Sequence, residues 1–68
     1  MKPYQIEKKQ RLETSAIRLF MEKGIVETSI NDIVKDAHLA KGTFYVYYKD
    51  KSTLIHEVME KMLITLLK

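Results

Sequence analysis

Apolar residues recur along this chain at helical rather than strand spacing, from one end to the other. Leu12, Ala16, Leu19 and Phe20 stand at i, i+4, i+7 and i+8 and draw one apolar stripe, while Lys8, Lys9, Arg11, Arg18 and Lys23 mostly lie off it. Gly24 follows, the residue type that best accepts a left-handed conformation just past a helix end. These signals predict helix 1 over roughly 5–23. Ser29 can then accept from the N–H groups of the next turn, with Asp32 where a capping-box acid belongs. Ile30, Ile33, Val34 and Ala37 give a second helix barely two turns long. His38 stands where that helix must stop. Histidine enters the left-handed region more readily than most non-glycine residues, and it suits a helix C-terminus. A third helix is expected from about Ala40 to about Tyr48. Asp50 then caps a fourth, whose stripe is Leu54, Val58 and Met62, continuing toward Leu66.

The order is helix, short helix, tight turn, short helix, longer helix. Two short helices joined by a tight turn make a helix-turn-helix, whose second helix enters the major groove of DNA. The expected fold is all-α: a three-helix bundle with a helix-turn-helix plus the start of a fourth, longer helix. Sixty-eight residues make at most one domain, near the lower size limit for a single core. There is no cysteine, and two histidines are too few for a structural zinc site, so no metal or cofactor is expected. The basic start "MKPYQIEKKQR" has no apolar stretch behind it, and "MLITLL" is far too short to span a bilayer. A cytoplasmic protein with no membrane partner is expected. No nucleophile–base–orienter spacing and no phosphate-binding glycine loop point to an enzyme. His38 is explained by its turn, and His56 lies off the apolar stripe of helix 4. The net charge of +3 only weakly favours an anionic partner. Where the charges sit matters more.

The segment "KGTFYVYYKDK", Lys41–Lys51, holds four of the six aromatic residues, between lysines. Phe44 and Tyr48 are four apart and share a face, so both can reach the core, whereas Lys41, Thr43, Val46 and Tyr47 fall largely elsewhere and Tyr45 lies at the margin. The cluster divides by helical phase into core and contact surface. Lys41 suits a phosphate or a guanine edge, as against an ordinary solvated lysine. Gly42 permits close approach of a phosphate, as against a plain helix start. Thr43 carries a methyl for thymine and a hydroxyl for a base or phosphate, as against helix filler. Tyr45 and Tyr47 can donate to phosphate oxygens or pack inward.

Together, "AIRLF", Gly24, "TSINDIVKDA" and "LAKGTFYVYYKDKSTL" resemble the N-terminal DNA-binding domain of TetR-family bacterial transcriptional regulators. The resemblance runs from about Lys9 to Val58. It implies a protein that binds a palindromic operator in double-stranded DNA as a homodimer and usually represses transcription. It also implies a C-terminal domain, absent from these 68 residues, for dimerisation and a small-molecule inducer. By the same resemblance Tyr47, and often Tyr45, contact phosphate; Val46 stands at a base-reading position with only apolar contact to offer. Lys51 matches a recurrent phosphate-contacting lysine, with Lys49 a further candidate. Thr28 and Ser29 begin a helix that also docks phosphate, although capping alone accounts for Ser29.

Three positions depart from the family pattern. Glu13 takes a usually apolar place in helix 1, where looser packing or escape of the side chain to solvent is expected. His38 replaces a common glycine, and Ala40 replaces a usual serine, which removes an N-cap typically worth ~1 kcal/mol. A competing reading is a small helical module that docks on another protein through the amphipathic helix 4. On the DNA-binding reading, the 68-residue chain alone is expected to be mostly monomeric, or to self-associate weakly through Leu63, Leu66 and Leu67.

Overall fold

The computed structural model describes the backbone of residues 3–67 and the side chains of residues 6–63. Among them are four helices and no strand: α1 (Pro3–Lys23), α2 (Ile30–Asp36), α3 (Lys41–Tyr47) and α4 (Lys51–Leu67). The all-α expectation holds, and α3 is one residue shorter at each end than its sequence suggests. Pro3 opens α1, where its missing N–H costs no hydrogen bond. Gly24 ends that helix at φ 93°, its N–H donating to the Phe20 carbonyl at 2.9 Å.

Each short helix has local reasons to start and stop. Ser29 caps α2 reciprocally: its hydroxyl accepts the Asp32 N–H at 3.1 Å, and the Asp32 carboxylate accepts the Ser29 N–H at 3.0 Å. At the far end His38 takes the left-handed conformation, φ 59°. The Leu39 N–H reaches back to Val34 and the His38 N–H to Lys35, which is the Schellman closure. Ala40 precedes α3 with no side-chain cap, as its methyl dictates. Asp50 accepts from both the N–H and the hydroxyl of Thr53, each at 2.8 Å, and so starts α4.

The core is one cluster drawn from every helix: Leu12 and Ala16 of α1, Ile33 and Val34 of α2, Phe44 of α3, and Leu54 and Val58 of α4, with Ala37 and Tyr48 beside them. Leu19, Phe20, Ile30 and Leu39 pack around it, half-buried. Met62 is largely exposed, so the α4 stripe leaves the core after Val58; the side chains of Leu66 and Leu67 lie outside the described residues.

Glu13 corrects an expectation. Its side chain does not escape to solvent but is buried, 8% exposed, because it finds partners there. The Tyr48 hydroxyl donates to Glu13 Oε2 at 2.6 Å, and the Lys61 ammonium donates to both carboxylate oxygens at 2.7 and 2.9 Å. A buried carboxylate without such partners would be expelled or neutralised.

Candidate nucleic-acid interface

Helical phase sets what α3 offers. Phe44 and Tyr48 point into the core, fully buried, so the opposite side of the helix faces out. Val46 is 71% exposed and Tyr45 50%; Lys41, Gly42 and Lys49 are exposed beside them. Thr43 and Tyr47 are half-buried, and Tyr47 rests against the core edge. Tyr45 packs edge-on to the Phe44 ring, centroids 5.3 Å apart, which favours that ring orientation on the surface. From Lys41 to Lys49 there is no acidic residue. Neither the Lys41 nor the Lys49 side chain makes an ion pair or hydrogen bond among the described residues, although Lys49 stands next to the Asp50 carboxylate. Several cations elsewhere are paired: Lys9 with Glu57, Arg11 with Glu7, Arg18 with Glu22 and Asp36, Lys23 with Asp32. The exposed face of α3 is therefore locally cationic, while several other basic groups are paired with acids.

Gly42 stands out for what the fold does not require of it. A Cβ there would meet nothing within 4 Å, so packing within the chain does not demand a glycine. Close approach from outside is the role its bareness leaves open.

Two expected contacts turn inward instead. Thr28 is fully buried, and its hydroxyl donates to the Gly24 carbonyl at 2.8 Å. Its side chain holds the α1–α2 turn and has no surface to present to DNA. Lys51 is half-buried, and its ammonium donates to the carbonyls of Ile25 and Thr28 at 2.8 and 2.7 Å. The reason is geometric: the α1–α2 turn exposes carbonyls beside the first residue of α4, and an ammonium can donate three times. Ser29 is exposed, but its oxygen already serves as the α2 cap. Lys41, Gly42, Thr43, Tyr45, Val46, Tyr47 and Lys49 are brought together on α3 and its exit; Thr28, Ser29 and Lys51 form a second group that shapes the turn before α2.

Sequence reasoning missed two further groups. The Arg11 guanidinium donates to the Ala37 carbonyl at 2.5 Å and to that of His38 at 3.5 Å, pinning the turn of the helix-turn-helix to α1. The other is the Glu13–Tyr48–Lys61 link. A carboxylate on the core face beside Leu12 was its only sequence signal.

Local electrostatics follow from these contacts. The Lys23 ammonium, then the Ser29 backbone and hydroxyl, bring Asp32 down to about 2. The Thr53 backbone and hydroxyl lower Asp50. Burial, then the hydrogen bond to Glu13, hold the Tyr48 proton on well above the usual phenol range. None of the described helices is long and apolar enough to cross a membrane, and no group of three or more His, Cys, Asp or Glu among the described residues could hold a metal ion.

Two HTH-type transcriptional regulators of Bacillus subtilis (strain 168) match: the uncharacterised YvdT, 43% identical over 82% of this chain and 29% of its own length, and the uncharacterised YerO, 39% identical over 79% and 19%. The HTH-type regulator SAB2452 of Staphylococcus aureus (strain bovine RF122 / ET3-1) is 42% identical over 88% of this chain and 32% of its own. The chain thus spans about a third or less of the length of these relatives. No solved structure matches it significantly. The family model for bacterial regulatory proteins of the tetR family covers residues 14–58, from mid-α1 through the helix-turn-helix into α4. This chain belongs to the tetR family, whose members are DNA-binding transcriptional regulators and not enzymes.

Proposed function

We propose that this domain binds double-stranded DNA with α3 in the major groove and serves as the reading head of a cytoplasmic, homodimeric repressor acting on a palindromic operator. The observation that carries the reading is the division of α3: Phe44 and Tyr48 hold it from within, and an acid-free face of Lys41, Gly42, Tyr45, Val46 and Lys49 remains exposed. Lys41, Lys49 and the Tyr47 hydroxyl meet phosphate; Thr43 and Val46 meet base edges, Val46 by apolar contact with a thymine methyl. A helix of seven residues reaches only a few base pairs, so specificity comes from two half-sites roughly 34 Å apart. In the reading proposed here, dimerisation and a small-molecule inducer belong to a C-terminal domain such as the greater length of the relatives allows.

The competing interaction-module reading draws on one feature. Ile17, Phe20, Met21, Ile25, Met59 and Met62 line an apolar cleft of about 170 Å³ between α1 and α4, and Leu63 is exposed beside it. That face lies on different helices from the α3 surface, so the two roles do not compete for the same residues.

The test is binding of the 68-residue chain to a palindromic site and to scrambled DNA across a salt series. Alone it should be mostly monomeric and bind both at ~10⁻⁴–10⁻⁶ M with a steep salt dependence. Fusing a dimeric coiled coil should tighten binding to the palindrome through effective concentration. Nanomolar selective binding by the monomer would refute the half-site account; absence of any salt-dependent binding would refute the DNA reading.

A further inference from the structure

We propose that Glu13 is a positioning residue for DNA binding: through Tyr48 it fixes the end of α3 where Tyr47 and Lys49 stand, and through Lys61 it ties that end to α4. The proposal rests on the DNA-binding reading above.

Tyr48 is the C-cap of α3, where the backbone leaves helical geometry for φ −135° and ψ 132°. Tyr47, still in the helix, and Lys49, already past it, flank this residue, so the direction of both depends on how Tyr48 is seated. Three contacts seat it. Its ring packs on Phe44 with centroids 5.5 Å apart, the Lys9 ammonium stands 5.7 Å from its ring centroid, and its hydroxyl donates to Glu13 at 2.6 Å. Core packing encloses the ring, and the hydroxyl bond adds the directional contact at its far end, toward α1.

Four charged groups bear on this hydroxyl: Lys9 and Glu13 from α1, Glu57 and Lys61 from α4. Glu57 Oε2 is buried, lies 3.6 Å from the Lys9 ammonium and accepts no hydrogen bond. A phenol has one proton to give, and it goes to Glu13 rather than Glu57. Glu13 can hold it while charged because Lys61 donates to both of its oxygens. Removing Lys61 leaves that buried carboxylate short of its counter-charge; removing Glu13 leaves the Tyr48 hydroxyl only Glu57, on α4, to donate to, and so turns it away from α1. An apolar residue at 13 could pack as tightly, and exchanging buried ion pairs for apolar contacts is often neutral for stability. What the carboxylate adds is a fixed direction for the α3 exit.

The experiment is a double-mutant cycle on DNA affinity with Glu13→Leu, which removes the acceptor, and Tyr48→Phe, each below its melting temperature, with thermal melts alongside. Each single variant should bind roughly tenfold more weakly, the equivalent of one charge-assisted hydrogen bond. The double variant should be no weaker than the worse single one, because both break the same link. The salt slope should flatten by up to about one unit as Lys49 loses its phosphate. Val58→Ala, a core truncation away from the link, should lower the melting temperature but leave the affinity and slope of the folded protein unchanged. If the parent binds DNA and the singles differ from it only in melting temperature, or if their losses add, this inference is overturned and the DNA reading stands. A parent that binds no DNA overturns both.

Discussion

Truncating Phe44 to alanine tests the phase of α3 more directly than any other change. The ring is fully buried, edge-on to Tyr45 at 5.3 Å and tilted against Tyr48 at 5.5 Å. A buried Phe→Ala change costs about 3–5 kcal/mol, as transfer free energy plus the cavity left behind. Part of that loss is the two aromatic contacts, each about 0.5–1.5 kcal/mol beyond area burial. The whole domain has little more to lose: at about 0.05–0.15 kcal/mol per residue, its stability is roughly 3–10 kcal/mol. Phe44→Ala should therefore leave much of the chain unfolded at 25 °C. Phe44→Leu gives a graded version, near 1.5 kcal/mol from lost volume and ring pairing. In a domain of this size that lowers the melting temperature by roughly 6–12 °C. Helical circular dichroism against temperature and urea reads both, with Val46→Ala as the exposed control, expected within about 0.5 kcal/mol of the parent. If Phe44→Ala melts like the parent while Val46→Ala does not, the helix is turned the other way and the assignment of its DNA face falls with it.

Other outcomes follow from single contacts. Lys51→Met removes the donor from two loop carbonyls and should lower the melting temperature and weaken DNA binding with the salt slope unchanged; a slope flatter by about one unit would show that the ammonium meets phosphate after all. Ala40→Ser supplies the missing cap of α3 and should raise the melting temperature by roughly 4–8 °C, about 1 kcal/mol; no gain would mean the serine cannot reach the first-turn N–H groups. Asp32 is depressed to about 2 in the fold, so it contributes stability above its ordinary 3.8 that is lost as pH falls toward 2. Asp32→Asn should flatten acid melting in that window, and an unchanged acid limb would contradict the Lys23 and Ser29 contacts. Tyr48 is raised, so its contribution is intact below the ordinary 10.0 and declines as pH climbs beyond it. Tyr48→Phe should be less alkali-sensitive than the parent, and parallel curves above pH 10 would deny the shift.

The local parts of this fold were legible because their causes are local. Gly24, the Ser29–Asp32 box, His38 and Asp50 act within a few residues of themselves, and each does in the structure what its type and place suggest. The split of α3 between Phe44 with Tyr48 and the exposed residues follows from spacing alone. The contacts of Glu13, Thr28 and Lys51 were not legible for the opposite reason. Glu13 meets Tyr48 35 residues away and Lys61 48 away, and Lys51 meets Thr28 across 23. Periodicity carries no information about such pairs, so a charged residue on a buried face reads as an error until its partner is known. Thr28 shows a related limit: the pattern that starts α2 is the same whether the residue before the cap faces solvent or closes a turn.

The open ground around Gly42 and Val46 has a consequence for how such a domain can diverge. Nothing within the chain leans on a side chain at position 42, and Val46 is largely in solvent. Substitutions at 46, and at 45 to the extent that Phe44 tolerates a lost edge contact, should be nearly neutral for folding while altering what the groove-facing surface can touch. Val46 lies about 160° around α3 from both Phe44 and Tyr48, so selection at that position leaves the stabilising pair largely unconstrained. Drift can explore new binding preferences here without first passing through an unfolded ancestor, and a randomised library at these two positions should return mostly folded proteins.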